Sequence, residues 1–226
     1  YGNHVGSWNF AATAYLNRWK VKIYYEHYFD DHSQMFFQYG RWKDGHIGLE
    51  ITFPKNRFID TFVYEGLGTK DQTGPMLYDS FWGEFEEQIS AKDNYYNHYL
   101  YQGWQHWGMG IGNPLLPGPI YNKNGQITFI SNRVLAHHIG FCGSPCQSLS
   151  YRMLLSYSRH WGTYDNPLNE IKKQFNSLFE VTYAPQQLKG WSFTVSGAMD
   201  RGNLLGNNYG GMLVIRKQGI IKSGNK

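Results

Sequence analysis

No run of about 18 apolar residues occurs in this sequence, so no helix of it is long and greasy enough to cross a bilayer. Charge is scarce too: Asp, Glu, Lys and Arg make up 17% of the chain, against about a quarter in an ordinary soluble domain. The net charge of +4 is dispersed. Without a basic block or a nucleic-acid motif, nucleic acid is not an expected partner. Cysteine is limited to Cys142 and Cys146, in "FCGSPCQ". A structural zinc centre needs further ligands at similar spacing and finds no other thiolate. The pair either closes a turn as a disulfide, which implies an oxidising compartment, or stays as two free thiols. Acid is missing altogether from Tyr95–Asn122, "YYNHYLYQGWQHWGMGIGNPLLPGPIYN".

What the chain has instead is rings and glycine. Aromatic residues reach 18%, with 18 Tyr, 8 Trp and 26 Gly. Mean hydropathy is −0.54, which does not argue against a membrane, because a transmembrane β-strand alternates and averages out as hydrophilic. Alternation is the dominant pattern. Trp8, Phe10, Ala12 and Ala14 fall on one side of their segment. Trp19, Val21, Ile23 and Tyr25 alternate with Lys20, Lys22, Tyr24 and Glu26. Ile47, Leu49, Ile51 and Phe53 do the same, as do Leu149 to Tyr157 and Trp191, Phe193 and Val195. Period two predicts strands with one apolar and one polar face. A helical period shows only weakly, near Asn169–Phe175.

Strands are predicted near 6–15, 19–29, 46–53, 58–67, 133–141, 148–160, 174–183, 191–200 and 209–217. The alternation is common to a soluble sandwich, with the apolar face inward, and a membrane barrel, with it outward. Aromatics at strand ends, such as Trp8, Trp19, Tyr157 and Trp191, suit membrane interfaces, though rings also favour strands generally. Connections alternate between short (16–18, 54–57, 142–147, 184–190) and long (30–45, 68–132, 161–173, 201–208), as the turns and loops of an outer-membrane barrel do. The expectation is an all-β, antiparallel transmembrane β-barrel, one domain over 1–226 with about 9–11 strands. Segment 68–132 is then a structured extracellular or lumen-plugging segment, since a bare loop of that length is uncommon. A strand pair near Tyr95–Trp104 and Gln126–Ser131 would keep the alternation.

Five pieces carry a resemblance. They are "YEGLGTKDQTGP" (Tyr64–Pro75), "DNYYNHYLYQGWQHWGMGIGNPLL" (Asp93–Leu116), "NRVLAHHIG" (Asn132–Gly140), "YRMLLSYSRHWGTYDNP" (Tyr151–Pro167) and "LKGWSFTVSGAMDRGNLLGNNYGGMLVIRKQG" (Leu188–Gly219). In this order they resemble the Wzi-like capsule-assembly outer-membrane proteins of the Bacteroidetes branch, over most of the chain from Gly45 onward. The resemblance implies an outer-membrane barrel of a Gram-negative bacterium, monomeric and without a cofactor. Such a barrel anchors capsular or exopolysaccharide as a lectin does and is not an enzyme. Its partners are that polysaccharide and outer-membrane lipid. Family members are longer, and their barrels end in a strand with a terminal aromatic residue, whereas this chain ends "IIKSGNK". The chain is therefore expected to be the C-terminal portion of a larger barrel, whose other strands cover its edges. A passive diffusion channel and a soluble β-sandwich carbohydrate-active enzyme are the alternative readings.

Sugars are held by aromatic faces stacked on pyranose C–H groups and by planar polar side chains on hydroxyls. Segment 68–132 is rich in both. The candidate polysaccharide contacts are Trp82, Tyr95, Tyr96, His98, Trp104, His106, Trp107 and Asn113, with Arg133 beyond them. The same rings would also serve as lumen filling or an aromatic girdle. Gly108, Gly110 and Gly112 recur at alternate positions, where close packing of a ring or backbone is the usual reason. They lack the strand-to-helix setting of a nucleotide loop. Carboxylates cluster at Glu84, Glu86 and Glu87 with Asp71, Asp79 and Asp93 nearby, in a pattern that fits a solvated face or an oxygen-ligand cation site better than a glycosidase pair. His137 and His138 are adjacent on a strand and so point to opposite faces. No metal site is expected. Arg133, Arg152, His160 and Arg216 would form a basic mouth if they converged.

Overall fold

The computed structural model describes residues 6–29, 44–56, 58–70, 105–110, 113–164 and 166–219. Each alternating segment becomes a strand, because alternation gives an extended chain one face of each kind. The long strands are β1 (Gly6–Leu16), β2 (Trp19–Phe29), β3 (Gly45–Thr52), β4 (Thr61–Gly68), β7 (Val134–Cys146), β8 (Leu149–Gly162), β9 (Pro167–Tyr183), β10 (Trp191–Gly202) and β11 (Asn208–Lys217). They form one nine-stranded sheet in chain order, every neighbour antiparallel. A small hairpin, β5 (Gln105–His106) and β6 (Met109–Gly110), stands apart. A single 3-10 turn, Pro119–Tyr121, is the only helix-like element among the described residues.

Register decides which side chains share a face. One row crosses all nine strands as Ala14, Val21, Ile51, Phe62, Phe141, Met153, Phe179, Gly197 and Gly211, with no polar member. On the opposite face, Glu65, His138, Ser156, Asn176, Asp200 and Asn208 form an unbroken polar row from β4 to β11. The apolar face is the uncovered one: Trp8, Phe10, Ile23, Ile47, Phe179, Val195, Leu213 and Ile215 all project from it and are exposed. The polar face curls around a cavity of about 880 Å³, reached by Glu26 of β2 at one side and Gln174 of β9 at the other. This is the reverse of a soluble domain, where the apolar face is the covered one.

Residues 113–132 sit across one end of that cavity. Leu116 and Phe129 pack with Leu67, Val134 and Ala136 of the wall, and Tyr28 and Leu115 border them. Burial of this kind contributes roughly 1.5–3 kcal/mol for each large side chain. Several buried polar groups here are paired. The Thr69 hydroxyl donates to the Asn132 carbonyl at 2.7 Å and accepts from the Val134 amide at 3.0 Å. The Ser131 hydroxyl accepts from the Gly162 amide at 3.1 Å. The Asn132 and Arg133 amides donate to the Gly162 carbonyl at 3.3 and 3.1 Å. The cap is thus bonded to Thr69, just past the end of β4, and to Gly162 at the end of β8.

The antiparallel all-β architecture agrees with the sequence reading, and four details differ from it. These strands form an open sheet: no pairing joins β1 to β11 among the described residues. The third and fourth long connections shrink to 163–166 and 203–207, because β9 begins at Pro167 and β10 runs to Gly202. The weak helical signal at Asn169–Phe175 is strand. Gln126–Ser131 forms no strand. Its proposed partner Tyr95–Trp104 lies outside the described residues.

Candidate functional site

Two places hold polar side chains in an organised way. The first is the cavity wall. Glu26 accepts from the Ser7 hydroxyl at 3.1 Å and from the Tyr28 hydroxyl at 3.0 Å. The His46 ring lies between two carboxylates, with Nδ1 3.8 Å from Glu26 and Nε2 3.5 Å from Glu65. Tyr24 donates to Glu65 from the same side. Farther round, His138 bonds Ser156 at 2.6 Å, and Asn176 donates to Asp200 at 2.7 Å. Arg152 pairs with Glu180 at 3.3 Å. These contacts tie neighbouring strands together, and each consumes hydrogen-bonding capacity that a ligand would otherwise use.

The second place is the outer surface of the cap. The β5–β6 hairpin turns through Trp107 (φ 53°) and Gly108 (φ 78°). Two consecutive positive φ values are those of a type I′ turn, which Asn-Gly fills most readily. The turn is pinned from three sides. The Gly108 amide donates to Gln105 Oε1 at 2.7 Å, and the Gly108 carbonyl accepts from the Ile120 amide at 2.8 Å. Beneath it, Gly118 comes so close that a Cβ there would stand 2.6 Å from the Gly108 oxygen. The hairpin and the 119–127 segment enclose a groove of about 410 Å³ lined by Gln105, His106, Trp107, Ile120, Gln126 and Ile127, with Gly108, Pro119 and Gly125. Trp107 is 83% exposed, and the Ile120 and Ile127 side chains are open to solvent beside it.

Among the described residues, those singled out by sequence do not form one site. His106 and Trp107 share the groove, their rings 6.1 Å apart. Asn113 lines the inner cavity instead, where its side-chain oxygen accepts from the Leu115 amide at 3.0 Å. Arg133 lies against Tyr164, its guanidinium 4.2 Å from the ring centre, while its Nε donates to the Lys70 carbonyl at 3.1 Å. It braces the cap, while Arg152, paired with Glu180, and His160 line the inner cavity. Trp82, Tyr95, Tyr96, His98 and Trp104 lie outside the described residues, as do the acidic residues between 71 and 93 and Gly112. Cys142 and Cys146 are free thiols. Both belong to strand β7, and an extended chain separates residues four apart by ~13 Å, although the bulge after Gly143 shortens this. A disulfide needs Cα atoms within about 7 Å. His137 and His138 do face opposite ways: His137 bonds Tyr64 at 2.8 Å on the apolar side.

Sequence reasoning missed Ile120, Gln126 and Ile127 as groove residues. Nothing in "GPIYNKNGQI" marks them, because they meet Trp107 only through the fold of the cap. It also missed the Glu26, His46 and Glu65 ladder, for which the parity of β2, β3 and β4 was the available signal. Comparison of the chain with protein-family models, with curated proteins and with solved structures returns no match in any of the three.

Proposed function

We propose that this chain is part of an outer-membrane β-barrel that holds capsular or exopolysaccharide at the surface of a Gram-negative bacterium without chemically altering it. The observation that carries the membrane reading is the inverted amphipathicity of the sheet. A continuous apolar face of this extent is an association liability in water and the solvated face in lipid. The strands are 8 to 17 residues long, and a tilted strand needs about 9–11 to cross the hydrocarbon.

The polysaccharide reading is supported by the resemblance of Asp93–Leu116 to capsule-assembly proteins and by an exposed indole on a pinned hairpin. The cavity-wall carboxylates Glu26 and Glu65 are engaged in cross-strand ties, which favours a binding role over glycoside hydrolysis. The test is capsule retention on cells lacking the protein, complemented with the wild type or with Trp107→Asn, outer-membrane insertion being verified in each case. Retention unchanged by the deletion would sink this reading.

A passive diffusion channel is the second reading, favoured by the polar row Glu65, His138, Ser156 and Asn176 along the cavity and opposed by the cap across one end of it. A robust open current in planar bilayers would select it. Fractionation as a soluble periplasmic protein would favour a carbohydrate-active enzyme instead.

A further inference from the structure

Resting on the surface-polysaccharide reading, we propose that the groove beside the β5–β6 hairpin binds a neutral pyranose unit of the glycan, with the Trp107 indole as its stacking platform.

The first argument is backbone conformation. Trp107 occupies a left-handed position that a bulky residue rarely adopts. Its side chain gains little from packing, being 83% exposed. A ring held in solvent on a disfavoured backbone serves neither the turn nor the core, and such outliers cluster at ligand-binding places.

The second argument is composition. The groove floor is apolar, from Ile120, Ile127 and Pro119, and its rim carries one imidazole and two carboxamides, from His106, Gln105 and Gln126. Gln105 Oε1 is already used by the Gly108 amide, which leaves its NH₂ group free to donate. A pyranose presents the matching pair of surfaces, a patch of C–H groups and a fringe of hydroxyls.

The third argument is charge. No Lys, Arg, Asp or Glu is among the described residues that line the groove. A uronate or sulfated unit would meet no cation among these lining residues and so would gain no ion pair in exchange for the water its charge gives up on contact. A neutral sugar has no such penalty. The volume of about 410 Å³ lies at the small end of ligand sites. The groove is open to solvent, so it accommodates a short stretch of glycan whose chain continues beyond it.

The probe is the full chain refolded in detergent micelles and labelled with 5-fluorotryptophan. The Trp107 fluorine resonance is assigned by its absence in Trp107→Asn, a substitution that suits the turn and so keeps the hairpin. The protein is titrated with neutral gluco-, galacto- and manno-configured oligosaccharides and with oligogalacturonate of matched length. At least one neutral oligosaccharide is expected to shift that resonance saturably. The uronate is expected to leave it in place, and Trp107→Asn to weaken neutral-sugar binding on the order of tenfold, read by calorimetry. The proposal is overturned if no neutral oligosaccharide moves the resonance, if the uronate binds more tightly, or if Trp107→Asn binds as the wild type does. Each of these removes the neutral-sugar groove alone; the parent reading falls separately, on unchanged capsule retention in deleted cells.

Discussion

Trp107 carries a conflict between backbone and side chain within one residue. The left-handed conformation costs a bulky L-residue about 1–2 kcal/mol, while Asn beside Gly adopts it readily. Trp107→Asn is therefore expected to stabilise the hairpin by about 1 kcal/mol, read as slower amide exchange across 105–110, while it weakens neutral-sugar binding on the order of tenfold. Gain of order with loss of ligand is a signature that a merely structural tryptophan would not give. Arg133 behaves in the opposite way. Its planar guanidinium lies over Tyr164 and donates to the Lys70 carbonyl, a pairing that lysine cannot reproduce. Arg133→Lys should loosen the cap by about 1 kcal/mol, measured as faster limited proteolysis within 113–132, and leave groove affinity unchanged. The sequence offered Trp107 as a sugar contact but not its turn position, and it offered Arg133 as a contact and not as a brace. Side-chain direction on a strand follows from parity, which is why His137 and His138 could be assigned to opposite faces. The orientation of a turn residue and the partner of a loop arginine depend on contacts between segments far apart in the chain.

At the level of elements, close approach makes Gly118 a hinge point between hairpin and cap. Its φ of −73° is ordinary, so the constraint is space alone. Gly118→Ala puts a methyl against the Gly108 carbonyl and should displace the hairpin at about 1–3 kcal/mol. Weakened sugar binding with unchanged strand content by circular dichroism would be the result. Strand β11 offers a sharper test of the faces. Leu213 projects from the apolar face and Met212 from the polar one, and both are exposed, at 66% and 56%. Leu213→Lys should impair insertion into lipid vesicles by about 2–4 kcal/mol if it lies near the midplane, whereas Met212→Lys should insert normally. Equal behaviour of the two would contradict the membrane reading.

Nine strands could be placed from alternation because one face of each is apolar along most of its length. The start of β9 escaped. Asn169, Glu170 and Ile171 are exposed on both faces of the sheet, so no environment selects an alternating pattern there, and the extra strand length was read as loop. The hairpin β5–β6 escaped for another reason: two-residue strands are too short to carry a period.

For the molecule as a whole, the cap is the feature that lies across one end of the cavity. On the proposed barrel reading, deleting 105–130 and joining the remaining ends with a short Gly-Ser linker should raise conductance in planar bilayers above that of the wild type. A wild-type current as large as that of the deletion would mean that the cap is no barrier. The strand count has a consequence of its own. Nine antiparallel strands in chain order make the first and last run in the same direction. β1 and β11 both start at the rim that carries the cap and both finish at the rim of the short turns. A seam made directly between them would have to be parallel. A ring that is antiparallel throughout must insert an odd number of strands, so its total is even. The strand laid against β11 then rises from the short-turn rim, and the strand laid against β1 arrives at the capped rim. Chain entering the first of these nine strands therefore does so beside the cap, on the same side as the groove of Trp107.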